Sequence, residues 1–507
     1  MRGRKRFFYN GILLTLVGIA MRTVQLTLGA YISRSVGAEA VGVNTLVMTV
    51  YGFALTFATS GVSLTVTRLV ADAIGRGQGS RRVVVGAGVY ALIFSTVASL
   101  ILMVLGGIIG TEIVGDSRAV ACLQILSLSL IPAALSAVIS GYFVGVRRVS
   151  LNAVVQVIGQ IFKVVCTVFL LTRIIGKDVA ASLISLSFGV TLTEIICFLV
   201  GLFEFLVDFR KYRQESRGAA LTEVYKMAFP LWISAMFRSA LLTVEHSLIP
   251  HRLAAGGKTM SEALSSYGVL HGMALPMVLY PMSPLSSFSG LLVPEFAEEN
   301  AREDRLSREN RMSRITSEAL EATLVYSILC SVGLYMLSEE FGYAIYGSYD
   351  AGRHIATLSI VVPIMYLDHV TDSILKGIGE HVFSMWVNVA DAILSIFLVY
   401  ILLPALGIAG YALVIILMEL FNFSLSYARL KKRVKFKLNF TKSVIIPLIC
   451  SILACYTANE MFFGSGKDAG TLTLFSKLIF YVCFFVGLRT LVDLCLGIKR
   501  AKRRTEA

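Results

Sequence analysis

Apolar and polar positions in this chain alternate on a long period. Apolar runs of roughly 20–27 residues recur from residue 8 to residue 496, separated by short polar, basic or Gly/Pro-rich breaks. At ~1.5 Å per residue, each run is long enough to cross a hydrocarbon layer ~30 Å thick as a helix. None shows the strict period-two alternation over about ten residues that marks a membrane β-strand. The pattern predicts an all-α polytopic membrane protein with about 14 transmembrane helices. The opening MRGRKRFF and its apolar run look like a signal peptide, but no small-residue cleavage site follows, so the run reads as the first span.

The breaks also group the helices. A basic linker near 208–222 separates helices 1–6 from helices 7–12, and another near 429–442 precedes a last pair. The expected organisation is an N-lobe at 1–222, a C-lobe at 223–440, and a helix pair with a basic tail at 441–507. Weak self-similarity supports two lobes. DVAASLISLSF (178–188) and GIAGYALVIIL (407–417) each open the last helix of a six-helix set. GVRRVSLNAVVQV (145–157) and GEHVFSMWVNVA (379–390) each enter the helix before it. Repeats of this kind are the sequence trace of transporters that rock one half against the other.

Composition narrows the class. With 56% hydrophobic and only 15% charged residues, the chain lacks the polar surface a soluble protein of 507 residues would need. The net charge of +14 is concentrated in alternate loops, including RGRKR (2–6), RKYRQESR (210–217), RLKKRVKFK (429–437) and KRAKRR (499–504). By the positive-inside rule these loops and both termini are cytoplasmic. Attraction to anionic head groups accounts for the remaining basicity, so no nucleic-acid partner is expected. The eight cysteines are scattered singly, without metal-ligand spacing, and no structural metal is expected. GGKT (256–259) resembles the end of a phosphate-binding loop, but the earlier glycine such a loop needs is Arg252 here. It reads as a polar turn, and the energy for any work must come from an ion gradient or the membrane potential. The outer loops are too short for a catalytic domain, and no enzyme activity is expected.

Ionisable residues inside apolar runs are costly and mark substrate or ion paths by default. Arg22 and Gln25 lie in the first run, Arg68 in the second, Lys163 in the fifth and Arg238 in the seventh. These cations outnumber nearby acids such as Glu194, which suits an anion, and a guanidinium fork matches phosphate oxygens. Arg68 lies near a span end and has the alternative of snorkelling to the interface. A second group is acidic: Asp368 and Asp372 one turn apart in DHVTD, Asn388 and Asp391 in the next helix, and Glu419 in the one after. With Glu245 these are candidates to hold Na⁺ or relay H⁺; the alternatives are neutral protonated acids or ion pairs. The proline- and serine-rich stretch VLYPMSPLSSFSGLLVPEF (278–296) predicts a broken eighth helix lining a cavity or moving seam.

These features together resemble a known family. Arg22 followed by SRSVGAEAVG, then GVSLTVTRLVADA (61–73), is similar to the N-terminal pattern of the stage V sporulation protein B family. SGYFVGVRRVSLNAVVQVIGQ (140–160), the stretch 265–299 and IYG at 345–347 extend the resemblance over most of the chain. The family lies in the multidrug/oligosaccharidyl-lipid/polysaccharide (MOP) exporter superfamily, beside the MurJ-type lipid II flippases. The resemblance implies a MATE/MurJ-like fold of two six-helix lobes plus a C-terminal pair, working by alternating access in the bacterial cytoplasmic membrane. Its implied cargo is an undecaprenyl-diphosphate-linked oligosaccharide, either a peptidoglycan precursor or a polysaccharide unit, moved from inner to outer leaflet by a monomer. The alternative on the same fold is a cation-coupled multidrug antiporter of the MATE type. Arg22 matches the family's helix-1 arginine, and Glu245 an acidic position in helix 7. Arg238 falls one turn after the usual helix-7 arginine position, here Ala235. Leu28 and Gly29 replace the arginine–aspartate pair of MurJ-type proteins, and Gly159 stands where relatives carry Glu. These departures leave the identity of the sugar open.

Overall fold

The computed structural model describes the backbone of residues 2–77, 79–174, 178–209, 220–300, 304–462 and 471–505. Most of the expected linker 208–222 lies outside them. Regular structure among the described residues is helical throughout, with no strand. Ten helices are long and apolar enough to cross a membrane. Two bent helix pairs bring the number to 12 if each crosses as one span: Arg118–Ser127 with Leu130–Gly145 at 42°, and Tyr349–Ser359 with Val362–Gly377 at 57°.

The remaining expected spans are contained in longer elements. The apolar stretch Gly18–Gly75 runs for 58 residues, which at ~1.5 Å per residue is well over twice a ~30 Å hydrocarbon layer. It therefore holds two spans. The break falls at Gly37, whose φ of 82° interrupts the helix and is one that only glycine adopts without strain. The eighth span is broken as the sequence predicts. It runs as Met260–Tyr267, a π-helical turn Gly268–Ala274, Leu275–Leu279 and Met282–Asn300. Pro281 and Pro284 have no N–H to continue the ladder, so carbonyls at the break need other donors. The Tyr366 hydroxyl donates to the Val278 carbonyl at 3.0 Å, and the Tyr326 hydroxyl to that of Pro281 at 2.5 Å.

By contacts the chain forms two compact units. One comprises residues 1–34, 269–398 and 405–507; the other comprises 35–268 and 399–404. The lobes expected at 1–222 and 223–440 are a different partition, drawn by chain order.

Within the second unit, glycines let helices approach closely. A Cβ on Gly141 would lie 2.6 Å from the Ser63 carbonyl oxygen, and one on Gly159 would lie 2.2 Å from Cys197 Sγ. The Trp232 indole donates to the Phe57 carbonyl at 2.9 Å and meets the Phe57 and Phe94 rings edge-on. In the first unit, the Tyr481 hydroxyl donates to the Leu329 carbonyl at 2.7 Å, while Lys477 pairs with Glu340. The first contact fastens the helix Thr471–Thr505 to the element Arg305–Met336, and the second fastens it to the short helix Ser338–Phe341. Arg34, close before the break at Gly37, donates to the carbonyls of Tyr343, Ala344 and Ile345 at 3.0, 2.5 and 2.8 Å. Large apolar side chains such as Val104, Phe203 and Phe397 are exposed along the spans, as a hydrocarbon solvent requires.

Candidate functional site

Three helices of the first unit build a polar cavity of about 200 Å³. Val362–Gly377 contributes Asp368, His369 and Asp372; His381–Leu406 contributes Ser384 and Asn388; Ile408–Arg433 contributes Glu419, Asn422 and Ser426. The spacings explain the convergence. Positions 368 and 372, 384 and 388, and 419, 422 and 426 recur at three or four residues, so each set occupies one helix face. Asp391, one turn beyond Asn388, lies within electrostatic range of Glu419 and Asp368. Asp372 forms an ion pair with Lys376 at 2.5 Å, one turn along its own helix. Oδ1 of Asp368, Oδ1 of Asp391, Oδ1 of Asn422 and the Ser384 hydroxyl are buried without a hydrogen-bond partner among the described residues.

Buried carboxylate oxygens without donors are expensive unless a proton or a cation satisfies them. This cavity therefore has the chemistry to take up H⁺ or a small monovalent cation. It is not a preformed metal cage: among the described residues, no three His, Cys, Asp or Glu side chains converge as metal ligands would.

Outside the spans, Glu380 fixes two of the three cavity helices to each other. Its carboxylate accepts from Arg429 at 2.8 and 3.1 Å and also pairs with Arg433. The Arg429 hydrogen bonds, then those from Arg433, hold its carboxyl below the usual range.

Arg22 belongs to the same unit as the cavity. Its side chain is exposed, no carboxylate pairs with it among the described residues, and it lies within electrostatic range of Tyr366 and His369. The cation thus stands beside the helix whose Asp368 and Asp372 line the cavity. Gln25, one turn on, is also exposed. Thr23 hydrogen-bonds to the Tyr280 hydroxyl at 2.8 Å, tying the first span to the broken eighth. Leu28, at 6% exposure, is core.

The other predicted cations lie in the second unit. Arg68 and Arg238 are exposed on Val62–Gly75 and Ala220–Ala255. Lys163 is half-buried, within electrostatic range of Glu194. Glu245 is half-buried in the second unit, within electrostatic range of Tyr267. The structure thus gathers Asp368, Asp372, Asn388 and Glu419 around one cavity, with Asp391 within electrostatic range of two of them. Sequence reasoning passed over Ser384, Asn422 and Ser426, whose signal was their helical spacing from Asn388 and Glu419.

Long apolar helices, a proline-broken span and ionisable groups around an internal cavity define a class: a multi-pass α-helical membrane transporter rather than an enzyme. The chain belongs to the family described as polysaccharide biosynthesis protein, which matches residues 7–299, more than half its length. Stage V sporulation protein B of Bacillus subtilis (strain 168) is 22% identical over 479 residues, covering 92% of each chain. Two solved structures share the fold. The lipid II flippase MurJ, in an inward closed conformation, superimposes with a TM-score of 0.71 at 16% identity, over 95% of this chain and 100% of that one. An inward-facing multidrug resistance MATE family transporter of the MOP superfamily gives 0.63 at 14% identity, over 83% of this chain and 98% of that one.

Proposed function

We propose that this protein flips a polyprenyl-diphosphate-linked oligosaccharide from the inner to the outer leaflet of a bacterial cytoplasmic membrane, with both termini cytoplasmic. The observation that carries the reading is Arg22: an exposed guanidinium within a span, with no carboxylate partner among the described residues. A phosphate-bearing head group supplies the bidentate oxygens such a group binds best, while the prenyl tail stays in hydrocarbon. Family membership and the flippase fold support the same cargo class. In this reading the chain-order lobes, 1–222 and 223–440, alternate access. The acidic cavity supplies the drive: uptake of H⁺ or Na⁺ at Asp368, Asp391 and Glu419 alters the charge of the helix beside Arg22, so cation and substrate binding are linked.

The test is translocation of a labelled polyprenyl-diphosphate sugar in proteoliposomes. Arg22→Ala lowers the rate about tenfold or more, the cost of one charge-assisted bidentate contact. Asp391→Asn removes the dependence on an imposed Na⁺ or pH gradient while substrate binding remains. Unchanged flipping by Arg22→Ala, with Arg238→Ala also silent, sinks the proposal. A cation-coupled drug antiporter is the second reading, favoured by the acidic cavity and the MATE-like fold. It predicts efflux of cationic dyes that Glu419→Gln abolishes and Arg22→Ala spares.

A further inference from the structure

A second cavity, of about 400 Å³, lies within the first unit where Arg305–Met336 meets the start of the span Thr441–Met461 and the end of the span Leu472–Cys495. Its size falls within the ~300–1,000 Å³ of small-ligand sites. Five charged side chains line it: Glu318, Glu321, Lys442, Arg489 and Asp493, beside the apolar Val325. All three helices are candidate spans, and the cavity lies at the ends carrying the basic runs at 305–314, 429–437 and 499–504. That places it at the depth of lipid head groups.

The charges are incompletely matched inside the protein. Arg489 is 17% exposed and its Nε forms an ion pair with Asp493 at 3.2 Å, but its Nη1 is buried with no acceptor among the described residues. The Lys442 ammonium has no hydrogen bond or ion pair among the described residues, although its backbone N–H is capped by Asn439. One oxygen of Glu321 accepts the Asn439 backbone N–H at 2.9 Å. Its other oxygen accepts no hydrogen bond among the described residues. A buried guanidinium nitrogen without an acceptor is costly and calls for an anionic oxygen. Glu318 pairs with Arg314 at 2.8 Å and Asp493 with Arg489 at 3.2 Å, so the remaining Glu321 and Lys442 leave the lining close to neutral, which disfavours a multiply charged diphosphate. A ligand with one phosphate anion and one N–H-bearing cation satisfies both sets.

We propose that this cavity binds the head group of an ethanolamine phospholipid, with its phosphate on Arg489 and Lys442 and its ammonium on Glu321. Choline lacks the N–H donors that Glu321 requires, and a glycerol head group offers no positive charge. The surrounding basic runs prefer anionic lipid, so an ethanolamine preference distinguishes a built site from general surface attraction. The inference does not depend on which cargo is transported.

The experiment is native mass spectrometry of the full chain in detergent, with dioleoyl-phosphatidylethanolamine, -choline or -glycerol added in turn. One ethanolamine lipid is retained at activation energies that strip the other two. Arg489→Gln and Lys442→Gln each reduce that adduct by about tenfold, as loss of one charge-assisted hydrogen bond requires. Arg353→Gln, on an exposed ion pair elsewhere, leaves it unchanged. Glu321→Gln raises retention of the glycerol lipid relative to ethanolamine, which also serves as the readout if Arg489→Gln fails to fold. Equal retention of all three lipids, an adduct indifferent to Lys442→Gln, or preferential retention of a polyprenyl diphosphate overturns the proposal.

Discussion

Gly159 illustrates how much depends on single side chains inside the spans. By resemblance it is a departure, standing where relatives carry Glu. In the structure, any Cβ at this position would lie 2.2 Å from Cys197 Sγ. We expect Gly159→Ala to destabilise the protein by about 1–3 kcal/mol, the usual cost of overpacking a tight contact. Cys197→Ala should restore much of that loss, because it removes the sulfur and keeps the backbone spacing. Thermal unfolding of the two single variants and the double variant in detergent measures the coupling, and strict additivity would refute the contact. Arg22 and the acids of the cavity were legible in the sequence because a charge in an apolar run is conspicuous. Ser384, Asn422 and Ser426 were not, because small polar residues occur on any helix face and only the packed neighbours reveal which faces converge.

At the level of elements, the broken eighth span shows a local signal completed by distant partners. Pro281 and Pro284 determine that the ladder breaks, yet nothing nearby in sequence announces that Tyr366 and Tyr326 accept the burden. Tyr366→Phe leaves the Val278 carbonyl without its donor and should cost about 1–3 kcal/mol. A lowered melting temperature in detergent, against an unchanged one for Phe at the exposed Tyr335, checks this. Glu380 makes a pH-dependent clamp between two cavity helices. Its folded-state pKa is depressed, first by Arg429 and then by Arg433. Its contribution is therefore complete above the unfolded carboxyl pKa of ~4.3 and is lost as pH falls through the lower folded value. Melting temperatures measured from pH 7 down to pH 3 should stay level and then drop in wild type. Glu380→Gln should start lower at neutral pH and show a smaller acid drop.

Across the whole molecule, membrane insertion and the number of spans follow from properties that are local to the chain. A run of about 20 apolar residues can satisfy its backbone only as a helix in hydrocarbon. The two spans joined at Gly37, and the position of the break in the eighth, fit that reading without residues far away in sequence. The grouping by contacts does not follow chain order: residues 1–34 join 269–398 and 405–507. That grouping brings Arg22 beside Tyr366 and His369, more than three hundred positions along the chain, and closes three helix faces around one cavity. The sequence by itself determined a helical membrane protein, its broken span and the stock of buried charges, since each depends on the hydrophobic cost of a short segment. Only the tertiary structure decided which charges meet, which remain without partners and where a glycine is compulsory. Those outcomes depend on helix packing, and helix packing is set by residues that are distant in the chain.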